Sequence, residues 1–311
     1  MSKITTAINL FKHNRGEFFA SILMNLNFLF SDKLYLTLLF RCKMGYWMNW
    51  KNPKTFSEKL QWLKLYDRRP EYTTMVDKYA VKEYVAKIIG EEYIIPTLGV
   101  WDRLEDIDWD SLPKKFVLKT THGGGSCGVV ICKDKDTFNK TDAITKLSKS
   151  LSHCIYKSLR EWPYKNVDKK IIAEKLLEDS ITIQNNTDLS DYKFYCFNGE
   201  PIYCQVIRAR RSKETIDFYD MKWNHMPFVG LNPVVTNGLN PVTKPICLSK
   251  MVDICGQLSI GIPLSRIDLY VINDKIYFGE ITFYPASGFG KFTPIQWNVK
   301  LGQMIKLPFE N

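Results

Sequence analysis

The hydrophobic pattern of this chain changes period several times, and each change predicts a new element. Residues 1 to about 50 read as helical and aromatic, with Phe18, Phe19, Phe28, Phe30, Tyr35, Phe40, Tyr46, Trp47 and Trp50 among interspersed Lys and Arg. Such a stretch can rest on a membrane surface as a basic amphipathic segment, or pack as a helical layer on the main core. Packing is the expectation, because aromatic stripes usually serve packing, and the membrane reading stays open beside it. Thr55-Phe56-Ser57-Glu58 then fits a capping box, with Phe56, Leu60, Leu63 and Tyr66 following at helical spacing until Asp67-Arg68-Arg69-Pro70. A second helix is predicted from about 73 to 89, closed by Gly90. Residues 91–114 read as an irregular acidic connector ending in Ser111-Leu112-Pro113.

From residue 115 the pattern shortens to strands. Lys115 to Thr120 is a short apolar strand with Lys119 near its end, and Val129 to Cys132 is another. Between them lies His122-Gly123-Gly124-Gly125-Ser126-Cys127-Gly128. Four glycines in six positions exceed what a hairpin needs, and they let backbone N–H groups approach a phosphate closely. No G-K-S/T ends the loop and no helix follows, so neither a Walker A loop nor a Rossmann fingerprint is present. A strand, a glycine loop and a strand match a flap over nucleotide phosphates, or else an exposed loop. A helix is predicted from about Thr141 to Trp162, on Ile144, Leu147, Leu151, Ile155 and Leu159. An apolar strand then runs from Lys170 into Glu174-Lys175-Leu176-Leu177-Glu178. Tyr192 to Phe197, Asn198-Gly199 and Pro201 to Ile207 form a hairpin, with Arg208, Arg210 and Arg211 at its end. Residues 224–246 read as a long loop, Ser249 to about Ile260 as a helix, and Trp297 to Leu307 as a helix.

The stretch from Arg266 to Gly290 carries the strongest candidate chemistry. Ile267, Leu269 and Val271 alternate, Asn273-Asp274 turns the chain, and Ile276, Phe278 and Ile281 return. A three-residue loop, 273–275, pairs 268 with 280 and sets the Cβ atoms of Asp268 and Glu280 about 5 Å apart on one face. Arg266 shares that face. Two such carboxylates suit one or two Mg²⁺ ions shared with substrate phosphates. A two-residue loop would instead turn Glu280 to the other face. A surface hairpin with its charges in water is the plainer alternative.

Composition narrows the partners without choosing one. A 311-residue chain with 45% hydrophobic and 24% charged residues is ordinary for a globular protein with two or three packed lobes. A net charge of +10 and a pI near 9.0 favour acidic partners such as nucleotides, acidic sugars, anionic lipid or nucleic acid. Eight cysteines without a C-x-x-C, and four histidines, argue against zinc and for reduced thiols in the cytosol. Phe18 to Phe30 is too short to span a bilayer, and no signal-peptide cleavage pattern is present. Asp108-Trp109-Asp110 has the spacing of a glycosyltransferase metal triplet, but no buried strand precedes it, so a solvated loop is expected.

Taken together, the segments resemble the ATP-grasp superfamily, and within it the TupA-like branch linked to teichuronopeptide and polysaccharide biosynthesis. The resemblance covers about residues 50 to 307. It is carried by P-K-T-F-S-E-K-L-Q-W-L-K-L-Y-D (53–67), V-D-K-Y-A-V-K-E-Y-V (76–85), I-I-P-T-L-G-V-W-D (94–102), K-F-V-L-K-T-T-H-G-G-G (115–125), I-I-A-E-K-L-L-E-D (171–179), D-Y-K-F-Y-C-F-N-G (191–199), R-I-D-L-Y (266–270) and Y-F-G-E-I-T-F-Y-P-A-S-G-F (277–289). It implies an α+β ATP-grasp fold, two lobes clasping ATP, with a helical N-terminal extension over 1–75. The ATP-grasp domain would be 76–311, with a small lobe at 115–178 and a large lobe at 190–311.

The resemblance also implies roles. Lys78 and Lys119 would hold ATP phosphates, and His122 with Gly123, Gly124 and Gly125 would form the flap. Glu174, Lys175 and Leu177 would meet adenine, and Glu178 the ribose. Asp268 and Glu280 would hold Mg²⁺, with Arg266 near the γ-phosphate. Lys193 and Arg208 would aid phosphate or substrate. Thr282 stands where the superfamily usually carries an asparagine, which leaves one or two metals open. The implied activity is an ATP- and Mg²⁺-dependent carboxylate–amine ligase. It would take an acidic sugar or polysaccharide precursor and an amine, with no nucleic acid, in the cytoplasm or at the inner face of the membrane through residues 1–50. A nucleotide-sugar glycosyltransferase of the same pathway and a non-enzymatic basic surface module are the alternatives.

Overall fold

The computed structural model describes residues 11–125, 127–179, 189–209, 213–231 and 235–308. In chain order it contains α1 (Arg15–Asn25), α2 (Asp32–Met44), α3 (Phe56–Tyr66), α4 (Glu71–Val76), α5 (Ala80–Ile89), β1 (Thr97–Trp101), β2 (Phe116–Thr120) and β3 (Val129–Cys132). There follow α6 (Lys140–Ser152), α7 (Ile155–Leu159), β4 (Ile171–Lys175), β5 (Asp191–Phe197), β6 (Glu200–Arg208), β7 (Thr215–Asp220) and β8 (Val229–Gly230). The last elements are α8 (Leu248–Leu258), β9 (Leu264–Ile272), β10 (Lys275–Thr282), β11 (Phe292–Thr293) and α9 (Gln296–Met304). This is an α+β arrangement of two larger antiparallel sheets and a short β8–β11 ribbon, with helices against them.

The smaller sheet has the order β1-β4-β2-β3 and the larger one β10-β9-β5-β6-β7. Each buries its own apolar set. Phe116, Leu118, Cys132, Leu147, Ile171 and Ala173 fill the core of the small sheet. Phe194, Cys196, Ile267 and Leu269 of the large sheet pack with Met251, Ile254 and Cys255 of α8. The helical region expected over 1–75 divides between two cores. Ala20, Leu23, Tyr35, Leu36 and Leu39 form a separate cluster, while Phe56, Leu60 and Leu63 of α3 join the core of the large sheet.

The capping box holds as read: Thr55 Oγ1 accepts from the Glu58 N–H, and the Glu58 carboxylate accepts from the Thr55 N–H. The helix expected over 73–89 is two helices. Asp77 stops the first, and its Oδ1 accepts from the N–H groups of Tyr79 (2.8 Å) and Ala80 (3.2 Å). A buried aspartate thus diverts the backbone where side-chain periodicity alone continues the helix. Lys78 lies in that break, and its N–H donates to Thr121 O at 3.0 Å. The helix expected over 141–162 is also divided. His153 is extended, and Lys169 Nζ donates to Leu151 O (2.6 Å) and His153 O (3.0 Å) at the end of α6. Two strands escaped the pattern. Half-exposed β1 lies inside the expected acidic connector and pairs with β4. β7, on which the apolar pattern placed no element, pairs with β6. The small sheet therefore begins at Thr97, before the expected 115.

The β9–β10 hairpin corrects the expected loop and keeps its consequence. Lys275 pairs with Ile272, so the loop is two residues, Asn273 and Asp274, at φ +47° and +61°. That is the primed hairpin turn such residues favour. It sets a register that would turn Glu280 away from Asp268. A bulge between Phe278 and Glu280 then shifts the register back, and Glu280 pairs with Asp268 after all. Gly279 makes the bulge sterically possible. A Cβ there would stand 3.0 Å from Asp268 O and 3.0 Å from Tyr270 Cε2. Gly279→Ala is expected to destabilise the protein by about 1–3 kcal/mol, the usual cost of forced overpacking. Urea unfolding measures it, and wild-type stability in the variant would show that the bulge does not need the glycine.

Candidate active site

The pairing of β5, β9 and β10 lines up charges on one face of the large sheet. Lys193 lies opposite Asp268 on one side and Glu280 opposite Asp268 on the other, with Thr282 opposite Arg266. Arg266 donates from Nε to Asp268 Oδ1 (2.7 Å) and from Nη2 to Asp268 Oδ2 (2.8 Å), Glu280 Oε1 (2.9 Å) and Thr282 Oγ1 (3.0 Å). Lys193 Nζ donates to Asp268 Oδ2. Asp268 is buried, whereas the Glu280 side chain stays 28% exposed. Lys78 arrives from between α4 and α5, its Nζ 3.8 Å from Glu280 Oε2. It also donates to Gly123 O of the glycine loop.

A second cluster sits on the small sheet. Glu174 of β4 is buried between two lysines, with Oε2 2.5 Å from Lys119 Nζ and Oε1 2.6 Å from Lys82 Nζ. Lys82, on α5, was not singled out by sequence. Its position four residues after Lys78, next to a helix break, is the signal that could have found it.

The electrostatics suit an anion. Around the larger cluster three cations, Lys78, Lys193 and Arg266, face two carboxylates, Asp268 and Glu280. Burial disfavours charge on Glu280, but Lys78, Arg266 and Lys193 outweigh it and bring its carboxyl down to about 2. Burial pushes the Asp268 carboxyl up, against the opposing pull of Arg266 and Lys193. Burial also lowers Lys78, with Glu280 opposing. Burial acts to raise Glu174, yet Lys119 and Lys82 together hold its carboxyl below the ordinary range. Phosphate oxygens entering between the lysines would replace carboxylate partners one for one.

The glycine loop is built around His122, one close approach and one left-handed residue. His122 is buried and its Nε2 lies 3.1 Å from Ser150 O, while Nδ1 has no partner among the described residues. Burial lowers its pKa, so the neutral ring donating to Ser150 O is favoured. A Cβ on Gly123 would stand 2.6 Å from Thr120 Oγ1, and Gly125 adopts φ +57°. Ser126 lies outside the described residues. Lys175 is exposed, Leu177 is half-buried, and Glu178 is paired with Lys115 at 2.8 Å.

One predicted site residue lies elsewhere. Lys193 pairs with Gln205, so Arg208, three residues further along β6, points to the opposite face of the sheet. There it holds Asp217 Oδ2 (2.8 Å) and Asn240 O (2.9 Å). Alternation along one strand fixes this, and the run of arginines by itself does not. Arg210 and Arg211 of the same cluster lie outside the described residues. Asp108-Trp109-Asp110 forms the expected turn, with Asp108 Oδ1 accepting from Asp110 N–H and Ser111 N–H at 3.2 Å each.

Behind the hairpin, Lys64 of α3 is fully buried. It donates to Ser287 O (2.8 Å), Ser287 Oγ (2.8 Å) and Leu159 O (3.0 Å). Burial takes its pKa down to about 7, with Glu161 opposing. The turn it grips follows directly on Thr282, and Ala286 and Ser287 take positive φ there. Helical spacing alone marks nothing special at Lys64.

Asp268 and Glu280 supply hard oxygen ligands, the donor type Mg²⁺ takes when phosphates and water complete its shell. Among the described residues no group of three His, Cys, Asp or Glu gathers as a metal cluster. The pair therefore suits a cation shared with a ligand better than a closed protein cage. Glu280→Gln should destabilise the protein at neutral pH by on the order of 1–2 kcal/mol, allowing for its partial exposure. A depressed carboxyl stabilises above its ordinary value of 4.5 and loses that contribution as pH falls towards 2. The gap between wild type and variant in urea unfolding should hence close below about pH 4.5. A gap that widens in acid would overturn this account of the charge balance.

A family model for TupA-like ATP-grasp proteins matches residues 58–306. No curated protein matches the chain. Among solved structures, the D-alanine–D-alanine ligase of Bacillus anthracis complexed with ATP is similar at 16% identity and TM-score 0.38, over 68% of this chain and 54% of that one. The D-alanine–D-alanine ligase of Helicobacter pylori is similar at 16% identity and TM-score 0.40, over 80% and 69%. The ATP-grasp ligase PsnB complexed with minimal precursor, Mg and ADP is similar at 12% identity and TM-score 0.37, over 73% and 57%. The chain thus spans little more than half the length of the first of these. With the family match running from α3 to beyond α9, over most of the sequence, the chain belongs to the TupA-like ATP-grasp family.

Proposed function

We propose that the protein is an ATP- and Mg²⁺-dependent carboxylate–amine ligase of surface polysaccharide biosynthesis, acting in the cytoplasm on a uronic-acid-containing acceptor. The observation that carries this reading is the meeting of Lys78 with the Arg266–Asp268–Glu280–Lys193 face, at 3.8 Å from Glu280. A lysine tied to the glycine loop there reaches the carboxylates of the other sheet, so a triphosphate between them would touch both. In this reading residues 76–311 form the ATP-grasp domain, with Gly123 to Gly125 as its flap.

The chemistry needs charge neutralisation and alignment more than a protein nucleophile. An acceptor carboxylate oxygen attacks the γ-phosphorus, the bond to the ADP oxygen breaks, and an acyl phosphate forms. The amine nitrogen then attacks the acyl carbon, phosphate leaves with its oxygen, and the nitrogen loses a proton. Lys78 and Lys119 would bind phosphate oxygens, and Arg266 would stabilise negative charge on the transferring group. Lys193 would keep Asp268 ionised and oriented. Bound at Asp268 and Glu280, Mg²⁺ would supply further neutralisation of the phosphates. The net charge of +10 suits an acidic acceptor.

Thermal stability with ATP and Mg²⁺, beside UDP- and GDP-sugars with Mn²⁺, tests the reading. A ligand that binds only the folded state raises the midpoint. ATP is expected to raise it and the sugar nucleotides are not, and Lys119→Ala should lose the shift. Asp268→Asn and Glu280→Gln should abolish ADP release in a screen of uronic acids with amines while remaining folded. A shift with a sugar nucleotide alone, or a fully active double variant, would overturn the ligase.

A further inference from the structure

The N-terminal helical layer buries part of its apolar face and leaves the flank uncovered. Ala20 and Leu23 of α1 are buried against Tyr35, Leu36 and Leu39 of α2. That contact uses the apolar face which the layer needs in order to fold. The outer flank of that face carries Phe19 and Ile22 of α1 and the C-cap Leu26, spaced three and four residues apart, at 50%, 42% and 40% exposure. The turn between α1 and α2 continues the strip with Phe28 at 76% and Leu29 at 64% exposure, and at the other end of the layer, past α2, Trp47 stands at 61%. A short helix whose apolar face runs past its buried contact, ending in an exposed Phe-Leu tip, exceeds the scattered apolar exposure of an ordinary surface.

The charges around the strip have one sign. From residue 11 to residue 50 the acids are Glu17 and Asp32. Both are held by cations of the protein, Glu17 by Lys43 at 2.5 Å and Asp32 by Arg68 at 2.6 Å and Arg160 at 2.9 Å. Among the described residues no acid is paired with Lys12, Arg15, Lys33 or Arg41. Three of these stand over aromatic rings, Arg15 over Phe11 (5.4 Å), Lys33 over Trp50 (5.8 Å) and Arg41 over Trp47 (5.7 Å). Aromatic rings flanked by long basic side chains match the boundary between acyl chains and phosphate headgroups.

We propose that this face docks the protein peripherally on a bilayer rich in anionic lipid. Phe28, Leu29 and the outer stripe of α1 enter the acyl boundary, and Lys12, Arg15, Lys33 and Arg41 meet the headgroup phosphates. No helix among the described residues is long and apolar enough to cross a membrane, so contact at the surface is the mode that this region offers. An acidic protein partner fits less well, because the most exposed positions are purely apolar and stand at the tip of a turn. The proposal does not depend on the ligase reading.

Co-sedimentation of the full chain with vesicles of phosphatidylglycerol and phosphatidylcholine, and with phosphatidylcholine alone, tests it. Binding is expected to the anionic vesicles, weakening as salt rises. Phe28→Asp with Leu29→Asp should weaken binding by at least about tenfold, since charges then replace buried apolar side chains. Lys33→Glu with Arg41→Glu should weaken it and remove the salt dependence. Both variants lie outside the candidate site and should unfold at the wild-type temperature, which separates lost docking from lost folding. Overturning results are equal binding to both vesicle types, no binding to either, or full binding by the Phe28 and Leu29 variant. Light scattering that shows a dimer, turned to monomer by Phe28→Asp, would make a second copy the occupant and likewise overturn the lipid proposal.

Discussion

A buried carboxylate has to be compensated, and much of this molecule is arranged around the compensation of Asp268. It lies on β9, one strand in from the edge of the large sheet, with Arg266 on its own strand, Lys193 on β5 and Glu280 on β10. The bidentate contact from Arg266 fixes the carboxylate plane, and Lys193 occupies the second oxygen from the other side. Glu280 can then be ionised beside Asp268 because the same guanidinium serves both. Without those cations two carboxylates on neighbouring strands would repel, and one would protonate. With them, the two charges are matched, and Lys78 adds a third cation beside Glu280.

The link to the second sheet is a consequence of one helix break. Asp77 accepts two backbone N–H groups and ends the regular spacing. Lys78 is thereby released from the helix face, tethered through its N–H to Thr121 O and through Nζ to Gly123 O. It meets the glycine loop and Glu280 of the large sheet together. Lys119 and Lys82 on Glu174 repeat the same device on the small sheet, with two cations on one buried carboxylate.

Support for the hairpin comes from behind. Ser287 and its carbonyl receive Lys64 Nζ, and Gln61 Nε2 donates to the same carbonyl at 3.0 Å. A lysine buried among Tyr284, Phe289 and Leu159 gives up much of its hydration, so its three acceptors must hold that turn closely. The helix α3 thus belongs with the β9–β10 hairpin, although some two hundred residues of chain lie between them. The N-terminal layer in turn joins this body through Asp32, which takes Arg68 and Arg160.

The local elements were largely legible in the sequence: the capping box at Thr55, the strands β2 and β3 around the glycine loop, the Asn198-Gly199 turn and the two arms of the β9–β10 hairpin. Each depends on nearby residues, through caps, alternation or turn chemistry. The family, too, could be read from the order of its motifs. What local pattern could not give was register and facing. The pairing of Asp268 with Glu280 was reached through a three-residue loop, whereas the protein uses a two-residue turn and a bulge at Gly279. Arg208 looked equivalent to Lys193 until strand parity placed it on the far face. β1 escaped because it is half exposed and steadied by β4, and Lys82 and Lys64 became special only when distant segments closed around them. Hydrophobic period and turn chemistry act over a few residues and are written in the sequence. Which face a charge occupies, and which charges share one buried volume, depends on pairings across the whole chain, and only the tertiary structure decided that.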